Sequence, residues 1–479
     1  MSTGVSAQNT YIDLATFSEL EGFLYGGQHA ITHFVRGVQK SNWFSFIPVP
    51  LRQHGTFDFG QKNVSAAINR SGDYVLQVWF RVKMPQLRFS ATALAAAGVG
   101  SQAGIRYTSN LMHNLFESIS ISFNELTVQE FDSYYLDFNR VFNVPASKRF
   151  LYDNMIGERS EYTATIEAAD MVADPTLALG DGAYLNLVIP LWFGEDTGVA
   201  LPAAALPFND IKINYHFRTL AQLLVISQGG SAVAAGGGVA RAATITDVVD
   251  ITGAIPRLET PETFAHYAVV SNDERVKMGD APRDILIRQV QTTQRSPMTA
   301  TGRNSTDVRL SHAIIAFFFA ARNTSLPGEQ SNYTNVPDFT NTTTGSNSDS
   351  PLGAFPIATT NLVYENTVRA SMGSDYYGMV VPYLFAESGP LGPEDTGYQM
   401  YSYSLRTFSY DPEGSTNYSK LANVAIQHDM ATSASATYSR ALAPGVITAG
   451  LVPTYEHVFV ATNWNIGRIA NGSFGHPTL

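Results

Sequence analysis

The chain contains no cysteine. This absence excludes disulfide bonds, thiolate catalysis and cysteine-ligated zinc, and it fits assembly in a reducing compartment. Charged residues are also scarce, at 15% of the sequence against 44% for hydrophobic residues. Such a composition lies outside the disordered class and predicts two or three folded domains with extensive buried or interface surface.

Positive charge is in deficit. The 30 Lys and Arg residues are outnumbered by 41 Asp and Glu residues, the formal net charge is −11, and the sequence contains no run of basic residues. Proteins that wrap nucleic acid neutralise its phosphates with clustered Lys and Arg. Direct binding to nucleic acid is therefore not expected.

Long apolar runs are missing as well. No stretch of roughly 18 apolar residues, the length that suggests a membrane-spanning helix, occurs in the sequence. The first residues, MSTGVSAQNTYIDL, lack the basic region and the apolar core of a signal peptide. We expect a soluble protein that is not secreted.

Alternation of apolar and polar residues is the main pattern that is present. In SISISFN, the side chains of Ile119, Ile121 and Phe123 point one way and the polar side chains the other, as in a half-buried strand. GDYVLQVWFRVK (72–83) has the same period and places five apolar residues on one face, namely Tyr74, Leu76, Val78, Phe80 and Val82. Further strands are predicted at 184–193, 209–217 and 400–408. The chain is predicted to be mostly β.

One short helix is predicted near the N-terminus. TFSELEGFLYGG places Phe17, Leu20 and Leu24 at helical spacing after Asp13 and stops at Gly26-Gly27. This segment either packs on its own domain or contacts a neighbouring molecule, and terminal segments do both.

Two long segments lack any apolar period. Residues 227–243 (SQGGSAVAAGGGVARAA) are rich in Gly and Ala, and residues 329–351 are polar. The first contains no GxxxxGK[ST] pattern, so it is interpreted as a flexible linker and not as a phosphate-binding loop. The second is expected to be an exposed insertion between strands.

The two halves of the sequence resemble each other. Residues 184–217 contain an alternating strand, a loop with Asp196 and a returning strand, and the same order recurs 215 residues later around Asp411. A weaker match pairs residues 70–83 with residues 309–322 at an offset of 239. The repeat predicts two similar antiparallel β domains, each a sandwich of two sheets.

The tripeptide Asp-Thr-Gly occurs twice, as in a two-lobed aspartic protease. Such an enzyme needs equivalent loops that bring two carboxylates within roughly 3 Å. The repeat pairs Asp196 with Asp411 instead of Asp395, and Asp395 precedes a strand whereas Asp196 follows one. Both tripeptides are therefore predicted to be turns. Asp196 is expected to start its turn through its side chain, and Gly198 to supply a positive φ.

The histidines do not form a convincing metal site. His29 and His33 have the i, i+4 spacing of helical ligands but lack the Glu of HExxH and a third ligand, so they are interpreted as surface residues. His113, His216 and His312 occur singly, and His312 is expected in the core. No GxSxG, strand-linked GxGxxG or EF-hand pattern is present. The sequence predicts no catalytic, cofactor-binding or metal-binding residue and no enzymatic activity.

Several longer stretches form recognisable motifs, namely NLMHNLFESISISFNEL (110–126), YDNMIG (152–157), DTGVALPAAALPFNDIKIN (196–214), VSNDER (270–275), LVYENTVR (362–369), DPEGSTNYSKLANV (411–424) and NGSFG (471–475). These stretches resemble the major capsid proteins of iridoviruses, which belong to the nucleocytoplasmic large DNA viruses. The resemblance extends over nearly the whole chain.

This resemblance implies an all-β protein with two tandem eight-stranded antiparallel jelly-roll sandwiches, a double jelly roll, after a short N-terminal helical segment. The predicted divisions are 1–35 for the N-terminal segment, 36–226 for the first jelly roll, 227–262 for a linker and 263–479 for the second jelly roll. A bilobal hydrolase and a carbohydrate-binding β-sandwich are the alternatives from other functional classes.

The resemblance also implies a role in assembly. Three chains would form a pseudo-hexagonal capsomer, and capsomers would tile an icosahedral virion shell over an internal membrane, held by minor capsid proteins and assembled in the host cytoplasm. The amphipathic spacing of the N-terminal helix motivates the hypothesis that it lies at the base, towards the minor capsid proteins or the membrane. The outward towers and the contacts between subunits would come from the long loops, at 91–104, 227–243, 329–356 and 431–450.

Overall fold

The computed structural model describes residues 7–95, 104–227, 240–280, 282–335, 355–391, 395–435 and 453–476. The chain divides into two compact units, residues 1–43 and residues 44–479. No helix within the described ranges is long and apolar enough to cross a membrane.

The N-terminal unit contains two short helices, α1 (Ala7–Ala15) and α2 (Glu19–Leu24). The predicted start of a single helix after Asp13 is wrong, because α2 begins only at Glu19. Ser18 occupies its N-cap position, and the Ser18 backbone N–H donates to the Glu21 carboxylate at 3.1 Å. The predicted stop is confirmed, since α2 ends before Gly26, which has a φ of +107°.

The first half of the larger unit, residues 44–270, is an antiparallel jelly roll. One sheet has the order β1-β15-β4-β10, and the other has the order β2-β3-β11-β7-β8. The strands of this half are β1 (Phe44–Pro50), β2 (Arg52–His54), β3 (Val64–Ala67), β4 (Tyr74–Lys83), β5 (Leu87–Phe89), β6 (Gly104–Tyr107), β7 (Phe116–Phe123), β8 (Leu126–Asp132), β9 (Ile166–Glu167), β10 (Tyr184–Ile189), β11 (Ile211–Phe217), β12 (Leu224–Ser227), β13 (Ala240–Ala242), β14 (Val248–Asp250) and β15 (Glu259–Val270).

The second half, residues 283–476, repeats this architecture. Its sheets have the orders β16-β25-β19-β22 and β18-β24-β20-β21. The strands are β16 (Arg283–Thr292), β17 (Ser296–Met298), β18 (Arg303–Asp307), β19 (Ala313–Asn323), β20 (Ile357–Tyr364), β21 (Thr367–Gly373), β22 (Gln399–Ser402), β23 (Thr416–Asn417), β24 (Val424–Met430), β25 (Tyr455–Ala470) and β26 (Ser473–Gly475).

The strand orders of the two halves correspond, except that the first half has one additional edge strand, β2, and this confirms the predicted double jelly roll. Strands β10 and β22 begin at residues 184 and 399, which is the predicted offset of 215, and β4 and β19 begin at residues 74 and 313, which is the predicted offset of 239. The hairpins β7–β8 and β20–β21 also have the same type of turn. Asn124-Glu125 and Glu365-Asn366 join equivalent strands, and all four residues have positive φ, as a two-residue type I′ turn requires.

The predicted alternation is confirmed in β7 and β11 but interrupted in β4. Val78, Phe80 and Val82 are buried as predicted, whereas Leu76 is only half-buried and Val75 is buried in its place. The pairing of β4 with β15 shifts register at this point, so Leu76 is the extra residue of a β-bulge. A bulge reverses the face to which the preceding residues point.

Two predicted strands are shorter in the structure. Strand β10 ends at Ile189, because Pro190 has no N–H to continue the ladder, and residues 192–194 form a 3-10 turn. Strand β22 ends at Ser402, so the prediction of a strand through residue 408 is wrong. Its later residues turn: Ser402 Oγ accepts a hydrogen bond from the Ser404 backbone N–H at 3.1 Å.

Helices fill the connections between strands. The α-helices of the larger unit are α3 (Ala91–Ala95), α4 (Leu111–Asn114), α5 (Ser133–Phe142), α6 (Ala146–Ile156), α7 (Ser160–Thr163), α8 (Ala168–Ala173), α9 (Asn272–Asp280) and α10 (Val381–Phe385). Helix α5 starts at a capping Asp132 carboxylate, which accepts from Tyr135 N at 3.0 Å. Each of its ten residues is buried, and its Phe138 ring stacks on Phe318 of the second half. A single hydrophobic core therefore extends through both jelly rolls.

Strand β15 crosses the predicted boundary between residues 262 and 263. It pairs with β1 on one side and β4 on the other, so residues up to 270 belong to the sheet of the first half. The predicted linker 227–262 also contains β13 and β14. Most of the predicted tower loops lie outside the described residues: positions 96–103, 228–239, 336–354 and 436–452.

Candidate functional site

The face where the two jelly rolls meet contains three groups of buried polar side chains in addition to the apolar contacts described above. Glu329, from the second half, accepts hydrogen bonds from Arg106 Nη1 at 2.8 Å, Thr108 Oγ1 at 3.0 Å and Ser109 N at 3.3 Å, all in the first half. The side chains of Arg106 and Glu329 are 1% and 0% exposed. A buried carboxylate needs such a set of donors to compensate for lost water.

Asp137 of α5 forms the centre of a second group. Its Oδ1 lies 2.7 Å from His113 Nδ1, and its Oδ2 accepts from Ser331 Oγ at 2.6 Å and Tyr333 OH at 2.9 Å. His113 also contacts Tyr152 OH through Nε2 at 2.8 Å. Burial, with the nearby Asp137 charge, raises the pKa of Tyr333 well above its usual value, so its hydroxyl stays a donor. His113, which occurs singly in the sequence, thus belongs to a bridge between halves.

The second Asp-Thr-Gly forms a third group. Asp395 is 4% exposed, and its carboxylate accepts from Arg140 Nη1 at 2.9 Å, Arg149 Nη1 at 3.0 Å and Leu391 N at 3.1 Å. Burial alone would lower the pKa of Arg140, but the charges of Asp395 and Asp153 raise it well above its usual value. The three groups around Glu329, Asp137 and Asp395 are together called the cross-half network.

Gly397 explains why this second tripeptide ends in glycine. Its φ is +100°, and a Cβ placed there would lie 2.0 Å from the carbonyl oxygen of Tyr333. A side chain is therefore excluded by both conformation and contact. The prediction that this tripeptide is only a turn missed its role in joining the two halves.

The first Asp-Thr-Gly is a local cap. Asp196 precedes a 3-10 turn at Thr197–Val199, and its Oδ2 accepts from Gly198 N at 3.1 Å. The predicted capping by Asp196 is confirmed, but the predicted positive φ of Gly198 is wrong. A Cβ at this position would lie 2.7 Å from Asp196 Oδ2, so a side chain there would displace the capping carboxylate. Strands β10 and β11, on either side of it, are consecutive in the chain but lie in opposite sheets.

A protease dyad is not formed. The oxygens of Asp395 are held by two guanidinium groups, and Asp196 binds its own loop, whereas a catalytic pair must share one proton between two carboxylates. Asp411, the predicted counterpart of Asp196, is exposed, and its N–H donates to Ser409 Oγ at 3.3 Å.

The remaining histidines are scattered. His29 and His33 are exposed and lie outside any helix. His216 is half-buried between Asn63 and Ser118. His312 is half-buried with a φ of +63°, so its predicted place in the core is wrong. Across the described ranges, no group of three His, Asp or Glu side chains is placed to hold a metal ion.

Large apolar side chains are exposed near the network. Phe150 and Leu151 of α6 are 81% and 63% exposed, although the adjacent Arg149 is buried in the Asp395 group. A π-helical turn at Tyr376–Val380 precedes α10. Residues between 379 and 391, from the end of this turn through α10, line an open groove whose apolar members include Met379, Pro382, Tyr383 and Leu391. Exposed apolar patches of this kind mark surfaces for contact with other proteins. We call these two segments the α6–α10 surface.

Comparison with known proteins identifies the family. A family model described as major capsid protein N-terminus matches residues 32–261, and one described as large eukaryotic DNA virus major capsid protein matches residues 274–475. The major capsid protein of Costelytra zealandica iridescent virus is 43% identical, with 98% of each chain covered. That of Frog virus 3 is 35% identical and covers 100% of this chain and 99% of its own.

Solved structures agree on the fold. A chain of the PBCV-1 virus capsid superposes with a TM-score of 0.70 at 17% identity, over 94% of this chain and 100% of that chain. The Faustovirus major capsid protein gives a TM-score of 0.62 at 11% identity, over 97% and 99%. With its matched sequence families and its double jelly roll, the chain belongs to the major capsid proteins of large eukaryotic DNA viruses, which are structural components of the virion capsid and not enzymes.

Proposed function

We propose that three copies of the chain associate into a pseudo-hexagonal capsomer. The duplicated strand order supports this most directly. Three chains with two equivalent jelly rolls each would place six similar jelly rolls around the centre of the capsomer. The cross-half network also supports it, because buried ion pairs such as Arg106–Glu329 join the two jelly rolls of one chain. Such capsomers would tile an icosahedral shell, assembled in the host cytoplasm.

The contacts between copies are proposed to include the α6–α10 surface. Permanent interfaces bury roughly 2,000 Å² or more and have apolar centres. Tyr383, at 87% exposure, and Phe150, at 81%, are the type of aromatic residue that supplies most of the binding energy at such centres. The tower loops at 91–104, 227–243, 329–356 and 431–450 are proposed to contribute further contacts.

The N-terminal segment is proposed to contact minor capsid proteins or the internal membrane at the base of the capsomer. Helices α1 and α2 expose Tyr11, Leu14 and Leu20, at 69%, 73% and 65%. Apolar side chains presented by short helices suit a partner with an apolar groove. The net charge of −11 and the lack of basic runs argue against direct contact with the genome.

The proposed division of the chain is an N-terminal segment followed by two jelly rolls. The pairing of β15 with β1 and β4 supports placing the end of the first jelly roll after Val270 and not at residue 226. The stretch that follows, α9 at Asn272–Asp280, would then connect the two halves.

The mass of the purified full-length protein in solution tests the trimer. Three chains of 52.1 kDa give a particle of about 156 kDa. A stable species of that mass supports the proposal, and Tyr383→Ser together with Phe150→Ser should shift it towards smaller species. A monomer at micromolar concentration would contradict the trimer and would favour a free-standing β-sandwich binding protein.

A further inference from the structure

Two buried histidines hydrogen-bond each other across the core of the second jelly roll. His428 lies on β24 and His457 on β25, in the two opposite sheets of this sandwich. Their Nε2 atoms are 3.0 Å apart, and the two residues are 0% and 1% exposed. We call this pair the histidine bridge.

The other ring nitrogens determine how the bridge is protonated. A hydrogen bond between two Nε2 atoms requires one proton between them. His428 Nδ1 lies 3.0 Å from Thr360 Oγ1, whereas no described group hydrogen-bonds His457 Nδ1. An unpaired buried N–H is rarer than an unpaired acceptor, so we assign the shared proton to His457. Its Nε2 donates to His428, its Nδ1 carries no proton, and both rings are neutral.

A further proton has no favourable place in this arrangement. On His428 Nε2 it would set two N–H donors against each other at 3.0 Å. On His457 Nδ1 it would keep the hydrogen bond but create a cation in the core, where the rings of Phe319 and Phe459 lie against the two imidazoles at centroid distances of 5.3 and 6.1 Å. A buried charge without a counter-charge is strongly unfavourable.

The charged groups on the neighbouring strands do not face the bridge. Asp429 and Glu456 adjoin the histidines in sequence, so they point to the opposite faces of β24 and β25. There they pair with Arg303 of β18 and Arg322 of β19 at 2.7 Å.

Arg468, near the far end of β25, is exposed and pairs with Asp284 of β16 at 2.6 Å. The ionisable groups nearer to the bridge include two tyrosines and an exposed carboxylate. Tyr377, from the π-helical turn, donates to the Thr360 carbonyl of β20 at 3.3 Å, and Tyr455 of β25 donates to Ala434 O at 3.1 Å. Asp307, at the end of β18, is exposed. Tyrosine is neutral in acid, so none of these groups neutralises an imidazolium at the bridge.

The first jelly roll has no histidine at the equivalent point. Strands β11 and β24 hold the same place in their sheets, and Tyr215 and His428 are each the fifth residue of the strand. The Tyr215 hydroxyl reaches the opposite sheet by a 3.3 Å hydrogen bond to Thr263. A tyrosine and a threonine do not gain charge in mild acid, so the equivalent contact in the first jelly roll does not titrate there.

We propose that the histidine bridge makes the second jelly roll acid-sensitive, so that its two sheets separate more readily than those of the first when the surroundings become acidic. Burial lowers the pKa of His457 to about 4, and burial with the adjacent His457 ring holds the pKa of His428 well below 6.5. Since the unfolded chain takes up these protons more readily, the bridge stabilises fully above pH 6.5 and loses its contribution as the pH falls towards 4. An assembled shell would therefore loosen first in its second jelly rolls.

Hydrogen–deuterium exchange of the intact full-length protein tests this proposal. Exchange at pH 7.5 and pH 5.0, corrected for intrinsic rates, should show that β24 and residues 455–461 open at least about tenfold more in acid, while β11 and β15 change less. The tenfold estimate corresponds to one pKa unit of linkage. Equal acid responses in the two jelly rolls would overturn the proposal.

Paired variants assign the effect to the bridge. His428→Gln with His457→Gln keeps neutral hydrogen-bonding groups of similar size, and it should abolish the extra opening at pH 5.0. His216→Gln, on β11 in the first jelly roll, is the matched control and should leave the response unchanged. A wild-type acid response in the double variant would contradict the proposal, and if that variant fails to fold, the comparison of the two jelly rolls in the wild type decides.

Discussion

The guanidinium of Arg106 donates to the carboxylate of Glu329 at 2.8 Å, and both side chains are essentially without solvent exposure. Because the two residues lie in different jelly rolls, this ion pair links the halves of the chain directly. Its carboxylate is also held by Thr108 and Ser109. The buried pair makes the larger unit one block, and it should respond to mutation as a core element.

Glu329→Ala should therefore destabilise the protein strongly. Removing one partner of a buried ion pair leaves the other charged without compensation, which costs about 3–5 kcal/mol. Chemical denaturation of the purified protein measures this loss. The exposed pair Asp284–Arg468, with side chains 51% and 53% exposed, provides the control. Asp284→Ala should have a much smaller effect, because exposed ion pairs contribute little to stability, and an equal loss in the two variants would contradict the assignment.

Asp395→Asn should show that the two Asp-Thr-Gly tripeptides differ in their contribution to stability. Neutralising Asp395 leaves Arg140 and Arg149 buried without their shared counter-charge, at a cost of about 3 kcal/mol. The same substitution at Asp196 should be nearly neutral, because Asn caps a helical turn as well as Asp does. Thermal unfolding of both variants compares them directly. Equal effects at the two sites would show that Asp395 is not the residue that joins the halves.

Gly397→Ala should be among the most damaging substitutions of a glycine. The new Cβ would lie 2.0 Å from the Tyr333 carbonyl oxygen at a φ of +100°, so the backbone must move, and we expect a loss of at least about 3 kcal/mol. Gly253 has a φ of +85° but nothing within 4 Å of a Cβ. Gly253→Ala should therefore cost only about 1 kcal/mol. Soluble yield and melting temperature distinguish the two variants.

The repeated strands could be predicted because their cause is local. Alternation along residues 116–123 and 211–217 sets which side chains enter the core, and the offsets of 215 and 239 follow from comparing strands. The bulge at Leu76 and the end of β22 at Ser402 could not be predicted, since they depend on the register of strands that are distant in sequence.

The cross-half network could not be predicted from the sequence, for a related reason. Asp395 meets Arg140 and Arg149 across 255 and 246 residues of chain, and no local pattern marks such a contact. The Asp-Thr-Gly pattern suggests a catalytic role for Asp395, whereas its carboxylate binds Arg140 and Arg149 and joins the two halves. The scarcity of charged residues offers one usable signal for such contacts. An Arg or Asp that stands alone in an apolar stretch must be paired if it is buried.

Deleting residues 1–30 should leave the jelly rolls intact and reduce incorporation into particles. Residues 44–479 form a compact unit by themselves, so circular dichroism and melting of the shortened protein should match the full-length chain. If the N-terminal helices contact minor capsid proteins or membrane, co-expression with the other capsid components should yield fewer or less stable particles. Unchanged incorporation would show that this segment has no role at the base of the capsomer.

Glu158→Gln should stabilise the protein at neutral and higher pH but not in acid. Burial raises the pKa of Glu158 to about 7, and Asn110 N donates to its carboxylate at 2.6 Å. A carboxyl whose folded pKa lies above its unfolded value of 4.5 stabilises fully below pH 4.5, and this contribution is lost as the pH rises through about 7.

Glutamine stays neutral throughout, so the variant should gain about 1 kcal/mol over wild type at pH 8 and nothing at pH 4. Melting temperatures across this range measure the difference, and Glu161→Gln, at an exposed position of α7, is the control. The effect runs opposite to that of the histidine bridge, which weakens in acid. A Glu158→Gln advantage that is the same at every pH would show that Glu158 is already ionised in the folded protein.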